Sequence, residues 1–477
     1  MHEPQPSARF AKAAFFAQLP PPWPQDPTPV IRAALQSSGV KIVVLDDDPT
    51  GTQTVHGIPV LTEWPIEALA AELRNELPAF YLLTNSRSMP PAAAQALNAE
   101  IGRALVAAGR ASGRPFVVIS RSDSTLRGHY PGEVAALASA LGESFDATLL
   151  IPFFEAGGRY TVGDVHYVAE GDLLVPAGAT AFARDASFGY RASNLRAWVE
   201  EKTGGQIPAA AVASVSLEDI RTGGPEGVTA RLLALLPASV CIVNAASTHD
   251  LDVFTAGLLA AEAQGRRYLY RTAASFVASR AGITPRPLLR AAELALQGPH
   301  GGLVVVGSYV PTTSGQISAL LDQPGVVAVE VRVEALLDDE QQADEIRQAA
   351  RAIDTRLARG EDAIIYTSRR LITGGDAERS LAIGQRVSES LVAIVRAVTR
   401  RPRYILTKGG ITSSDITTAG LGVRRAIVLG QILPGVPVWQ LGPESRFPGL
   451  ACVVFPGNVG GPHALVEVVS MLQSAEP

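Results

Sequence analysis

The sequence predicts an α/β protein of two domains, each with a mostly parallel sheet flanked by helices, and an active site in the interdomain cleft. Three observations predict it. Short apolar runs of strand length recur, each followed by Gly, Asp, Ser or Asn and then by an Ala/Leu-rich stretch of helical period. At 477 residues the chain is longer than one hydrophobic core usually serves. Hydrophobic residues make up 47% and charged residues 18%, a balance that suits a packed globular chain and not a disordered one.

In chain order, the runs that read as strands in the first half are Ile42–Leu45, Phe80–Thr84, Phe116–Ser120, Thr148–Pro152 and Val240–Asn244. They carry no polar alternation, as expected of strands covered on both faces. In the second half come Leu303–Gly307, Val326–Val331, Ala363–Thr367, Tyr404–Thr407, Ala426–Leu429, Val436–Leu441 and Ala451–Phe455. Residues 1–40 are Pro-rich and read as an arm that packs on a partner subunit or on the protein's own surface. The first domain then spans 41–285. Residues 286–300, with Pro, a helical Ala/Leu stretch and a Gly-rich end, read as a connector to a second domain over 301–477.

Net charge is −5 and no Lys/Arg cluster stands out, which argues against a nucleic-acid partner and for small molecules. The apolar runs fall short of the roughly 20 residues needed to cross a bilayer, so no membrane partner is expected. The N-terminus is too broken by Pro to read as a signal peptide. Cys241 and Cys452 each lie in an apolar run and read as buried thiols, which points to the cytoplasm. The arm hints at contact between subunits, as in a homodimer.

In open α/β sheets, ligands bind beyond the carboxyl ends of the strands. Four polar loops follow strands of the first domain: "DDDPTGT" from Asp46, "NSRS" from Asn85, "RSDSTLRGHYPGE" from Arg121 and "FFEAGGRYTVGD" from Phe153. Three adjacent carboxylates repel unless a cation or ligand compensates them, so Asp46, Asp47 and Asp48 exceed what a helix cap requires. Arg121 and Arg127 flank Asp123, Ser124 and Thr125. Two guanidiniums can hold a carboxylate while Asp and the hydroxyls take hydroxyl groups, the equipment a sugar acid needs. Arg87 and Arg159 add charge to the same rim, or pair with Asp46 or Glu155.

The second domain offers glycine and hydroxyls instead, in "GSYVPTTSGQ" from Gly307, "TKGGITSSD" from Thr407 and "FPGNVGGPHAL" from Phe455. Glycines let backbone N–H groups close around phosphate oxygens. Neither a Walker pattern nor a strand-linked G-x-G-x-x-G occurs in these loops. His56, His129 and His166 follow rim loops but show no metal-ligand spacing, so a metal hydrolase is a weaker reading. The segment "LDDEQQADEIRQAARAIDTRLARGED" reads as a solvated helix face, and the four tryptophans as buried.

In that order, "DDDPTG", "RSDSTLRG", "EAGGRYTVGDVHYV", "GSYVPTTSGQ", "TKGGITSSD" and "FPGNVGGPHAL" resemble the four-carbon acid sugar kinases. The resemblance covers nearly all the chain beyond the arm. It implies a first domain that binds a tetronate or 3-oxo-tetronate and a second that binds ATP with Mg²⁺. The reaction implied is phosphoryl transfer to a terminal hydroxyl. Asp47 and Asp48 become the catalytic candidates. Thr50, Gly51, Asn85, Arg87, Arg121, Asp123, Ser124, Thr125, Arg127, Gly128, Glu155 and Arg159 become the substrate-binding candidates. On the nucleotide side stand Ser308, Thr312, Lys408, Gly409, Gly410, Ile411, Thr412, Gly457, Asn458 and Gly460.

Two departures stand out. Arg121 replaces the lysine common before Asp-Ser-Thr, and Phe455-Pro456-Gly457 replaces a common Lys-Ser-Gly. Lys408 is the candidate to supply the missing charge. A non-catalytic sugar-acid sensor on the same fold is the alternative that this loss suggests.

Overall fold

The computed structural model describes residues 9–296, 298–307, 311–368, 377–457 and 459–474. The chain forms two compact units. One holds the chain up to Val55 and Glu63–Pro285; the other holds His56–Thr62 and the chain from Arg286 onward.

The first unit contains β1 (Phe10–Ala11), β2 (Lys41–Asp46), β4 (Ala79–Leu83), β5 (Phe116–Arg121), β6 (Ala147–Ile151), β7 (Arg159–Val162), β8 (Val165–Glu170), β9 (Leu173–Pro176), β10 (Ala213–Val215), β11 (Ser239–Val243) and β12 (Tyr268–Thr272); the intervening β3 (Ile58–Leu61) belongs to the second unit. Its main sheet runs β10-β11-β6-β12-β5-β2-β4, every pair parallel. All residues of β2 and β4 are buried, which is why these strands read as unbroken apolar runs. Register places Asp46 opposite Leu83 of β4 and opposite Arg121 of β5, so the loops that follow these three neighbours leave one edge together.

A separate antiparallel sheet, β1-β9-β8-β7, replaces part of what the sequence reads as one polar loop. The stretch "RYTVGDVHYV" folds as a hairpin because Gly163 and Asp164 both take left-handed backbone, at φ 58° and 63°, the geometry that matches the twist of paired strands. The described part of the arm packs on this sheet. Phe10 pairs with Leu174, and the rings of Phe15 and Phe16 lie 5.2 and 5.0 Å from those of Tyr167 and Tyr160.

The second unit contains β13 (Leu303–Val306), β14 (Val326–Val331), β15 (Asp362–Thr367), β16 (Ile405–Lys408), β17 (Arg425–Leu433), β18 (Val436–Leu441) and β19 (Ala451–Phe455). Its strand order is β3-β17-β18-β19-β16-β13-β15-β14, parallel from β19 to β14 and antiparallel from β3 to β19. Leu320, Leu406, Val453, Phe455 and Leu465 centre its core. Residues 286–300 cluster with this unit rather than standing apart: Arg286 Nη1 donates to the Leu429 carbonyl at 2.9 Å, and the Leu289 amide to that of Gln431 at 2.7 Å. Among the described residues of this segment, regular structure is limited to a short helical turn at Ala291–Glu293, where a longer helix is expected. Among the described residues, no helix is long and apolar enough to cross a membrane.

Candidate active site

The three aspartates at the end of β2 do different things. Asp46 is buried, and Arg121 Nη1 donates to its Oδ1 at 2.9 Å while, among the described residues, its Oδ2 accepts no hydrogen bond; burial pushes its carboxyl up to about 7. Asp47 accepts from Ser122 Oγ at 2.7 Å through Oδ2; among the described residues its buried Oδ1 accepts no hydrogen bond, though Arg121 Nη1 lies 3.5 Å from it. Burial raises its carboxyl above the usual carboxylate range, against the pull of Arg87, Arg121 and Arg271. Asp48 caps the turn Pro49–Thr54, accepting from Thr50 N at 2.8 Å and Thr50 Oγ1 at 2.5 Å, and pairs with Arg87. Burial works against that carboxyl, but Arg87 and Thr50 outweigh it and hold it below the usual range.

Gly51 is dictated by contact. A Cβ there would lie 2.2 Å from both carboxylate oxygens of Asp46. Gly51→Ala is therefore expected to displace Asp46 from Arg121 and to cost about 1–3 kcal/mol, read as a lowered thermal unfolding midpoint. Gly128, at φ 123°, plays the matching part opposite: a Cβ would meet Arg271 Nη2 at 2.6 Å and Ser122 Oγ at 2.8 Å.

The loop after β5 folds around Asp123. Arg127 Nε donates to it at 2.8 Å and Thr125 N at 3.2 Å, Thr125 Oγ1 joins them, and Arg87 Nη1 lies 3.3 Å away. Burial opposes ionisation here, yet these cations and donors hold the carboxyl well below its ordinary value. The expected grip of Arg121 and Arg127 on a substrate carboxylate is thus largely taken up by the protein's own aspartates: Arg121 faces Asp46 and Asp47, and Arg127 faces Asp123 and Asp185. Arg87 pairs with Asp48 and Asp123 rather than with Asp46.

Asn85 opens the loop after β4 in left-handed backbone at φ 50°, and its carbonyl accepts from Ser88 Oγ at 2.8 Å. Glu155 turns to another task, accepting from Thr248 N at 2.8 Å and Thr248 Oγ1 at 2.6 Å at the start of the helix Thr248–Ala263. Arg159, at the start of β7, makes no ion pair among the described residues.

Some supports of the rim, Arg271 and Tyr190 among them, carry no signal in the sequence; His166, which does follow a rim loop, joins them. Arg271, on β12 between β5 and β6, donates to Ser120 Oγ at 3.1 Å and Glu133 Oε2 at 2.9 Å. His166 of β8 is buried, and Nε2 donates to the Ser124 carbonyl at 2.8 Å while Nδ1 accepts from Thr161 Oγ1 at 3.0 Å. Burial pushes its pKa down to about 4, so it serves as a neutral strut. Tyr190 adds a second strut, donating to the Thr125 carbonyl at 2.8 Å. The small sheet and the segment after it thereby hold the loop from behind.

In the second unit, the three glycine loops leave the carboxyl ends of β19, β16 and β13, three adjacent parallel strands. A Cβ on Gly307 would lie 2.2 Å from Thr412 Oγ1, and one on Gly460, at φ 82°, 2.3 Å from the Ala464 Cβ. Gly409 takes φ 109° and donates its N–H to the Phe455 carbonyl at 2.9 Å. Gly457 lies on the last loop, Thr312 in the helix Pro311–Leu321 that follows the first, and Gly410 and Ile411 in the helix Gly410–Asp415 that follows the second; Ile411 is exposed. Ser308 and Asn458 lie outside the described residues. Gln316, also overlooked, ties the first loop's helix to the last loop, donating to the Gly461 carbonyl at 2.9 Å.

Lys408 is buried beneath the last loop. Its Nζ donates to the Pro456 carbonyl at 2.9 Å and lies 4.1 Å from the Phe455 ring centre; burial alone pulls its pKa down to about 7.

Two family models match the chain, a sugar-binding N-terminal domain over residues 42–280 and a nucleotide-binding C-terminal domain over residues 303–465. The chain belongs to the four-carbon acid sugar kinase family. The kinase is 26% identical over 409 residues to a D-erythronate kinase of Heliobacterium modesticaldum, covering 79% of this chain and 84% of that one. It is 29% identical over 372 residues to a 3-oxo-tetronate kinase of Cupriavidus necator, covering 75% and 78%. A solved structure of the Haemophilus influenzae protein HI1011 shares its fold, with a TM-score of 0.60 and 18% identity over 90% of this chain and all of that one.

Proposed function

We propose that this kinase transfers the γ-phosphoryl group of ATP to the terminal hydroxyl of a four-carbon acid sugar, a tetronate or 3-oxo-tetronate. The observation that carries the reading is Asp47. It is the catalytic candidate with a buried carboxylate oxygen that accepts no hydrogen bond among the described residues and with its basicity raised, as a group that accepts a hydroxyl proton requires. Asp48, committed to Arg87 and Thr50, orients the loop instead. Asp123, Thr125 and the surrounding arginines offer acceptors and donors to the remaining hydroxyls.

The glycine loops after β13, β16 and β19 would take the triphosphate on backbone N–H groups, with the Lys408 charge behind them. Phosphoryl transfer relies mainly on positioning and charge stabilisation, so turnover requires the acid and the triphosphate to be brought within transfer distance. Among the described residues, no group of three or more His, Cys, Asp or Glu is placed to hold a metal. Mg²⁺ fits as an ion held chiefly by the triphosphate and water, needing little from the protein, and would supply charge neutralisation there. The free, buried thiols of Cys241 and Cys452 suit a cytoplasmic setting.

A coupled ADP-release screen over tetronates, 3-oxo-tetronates and related short hydroxy acids tests the reading. Turnover with at least one four-carbon acid is expected. A blank panel together with absent ATP binding by calorimetry would replace the kinase with the sensor.

A further inference from the structure

The arginines of the first unit's rim are unequally committed. Arg87, Arg121, Arg127 and Arg271 each lie within 4.0 Å of a carboxylate, in pairs with Asp48, Asp46, Asp123 and Glu133. Arg159 has no such partner among the described residues. Its buried Nε meets no acceptor, and its guanidinium lies over the Phe182 ring, 5.4 Å from the centroid, beside Arg127 at 5.2 Å from the same ring. Burial pulls its pKa down, against the attraction of Asp123. A partly buried cation with an unsatisfied N–H is costly to keep, and a bound anion that accepts from it would remove the cost.

We infer that Arg159, backed by the Phe182 ring, is the anchor for the substrate's carboxylate and the residue that makes the site select an acid over the neutral polyol of the same length. The inference rests on the acid-sugar reading above and assigns that acid's charged end to one residue. Arg121 and Arg127, which the sequence favoured for this contact, are engaged by aspartates. A planar fork on an aromatic face presents two parallel N–H donors, the geometry a carboxylate accepts bidentately.

The test compares a tetronate with the tetritol of matching stereochemistry in the wild-type enzyme and in Arg159→Met. The variant is expected to raise KM for the acid about 10- to 100-fold, to leave KM for ATP unchanged, and to lower the acid-to-tetritol ratio of kcat/KM by the same factor. Its thermal midpoint should equal or exceed that of the wild type, because an uncompensated charge has been removed; a structural arginine would lower it. Arg159→Gln, polar and neutral, serves if the Met variant misfolds and carries the same expectation. An active variant that keeps the wild-type ratio overturns the inference and leaves the acid-sugar reading intact. A wild-type enzyme that phosphorylates neither compound overturns both.

Discussion

Asp47→Asn is expected to lower kcat by about 10²–10⁴-fold, the usual contribution of a positioned general base, with KM for ATP little changed. The amide keeps the shape of the carboxylate and can still accept from Ser122, but it cannot take a proton. Asp47 is the more available of the two neighbours. Among the described residues, the buried Asp47 Oδ1 accepts no hydrogen bond and has Arg121 Nη1 only at 3.5 Å, whereas both oxygens of Asp48 are engaged more closely by Thr50 and Arg87. Asp48→Asn should therefore act mainly on the turn it caps, at about 1 kcal/mol of stability, and on KM for the acid. The pH profile separates the two. A base works ionised, so kcat/KM should fall as pH drops through Asp47's native pKa, which lies above the ordinary value of 3.8. That acid limb should survive in Asp48→Asn and vanish in Asp47→Asn. The reverse pattern would move the proton-accepting role to Asp48.

Lys408→Met should weaken ATP binding about 10- to 100-fold and stabilise the fold, two effects of opposite sign from one charge. A unit charge roughly 6–8 Å from a phosphate contributes about 2–3 kcal/mol at an effective dielectric near 20. Lys408 is buried, its Nζ held on the Pro456 carbonyl, and burial brings its pKa down to about 7 from 10.5. Between those values the unfolded chain carries the proton and the folded chain does not, so the lysine's penalty on stability is full below about 7 and gone above 10.5. Wild-type stability relative to Lys408→Met should thus rise with pH across that window. ATP affinity should move the other way, falling as pH rises through about 7 and the ammonium is lost, and Lys408→Met should show no such fall. Calorimetric titration with ATP at several pH values reads both the affinity and its slope. Unchanged affinity in the variant would remove Lys408 from the nucleotide site.

The architecture was legible where strands are covered on both faces, because an unbroken apolar run such as Ile42–Leu45 or Leu303–Val306 has few other destinations. Strand β12 was not, since its "YLYRT" puts Arg271 inside a strand, and only tertiary pairing with Glu133 makes that tolerable. Strand β3 carries a proline, Pro59, and its partner β17 is distant in sequence. Its place in the second unit could not be seen locally. The hairpin β7–β8 was masked by its own turn chemistry: Gly163-Asp164 looked like loop, and the flanking alternation was too short to outweigh it. The rim itself was legible as loops following strands. What the sequence could not tell is how the charges divide among themselves, for Arg121 meets Asp46 and Arg87 meets Asp123 only after the parallel strands set their register. The sequence favours Arg127 over Arg159 for the substrate's carboxylate, and the fold reverses the order: Arg127 is engaged by Asp123 and Asp185, while Arg159 makes no ion pair among the described residues.

Proton-coupled ³¹P NMR of the reaction of ATP with the preferred acid tests the central claim most directly. The account predicts a new phosphomonoester signal split into a triplet by the two protons of a terminal CH₂–O–P group, formed with ADP one for one and absent with Asp47→Asn. A doublet would place the phosphate on a secondary hydroxyl, and inorganic phosphate as the sole product would contradict transfer to the acid altogether.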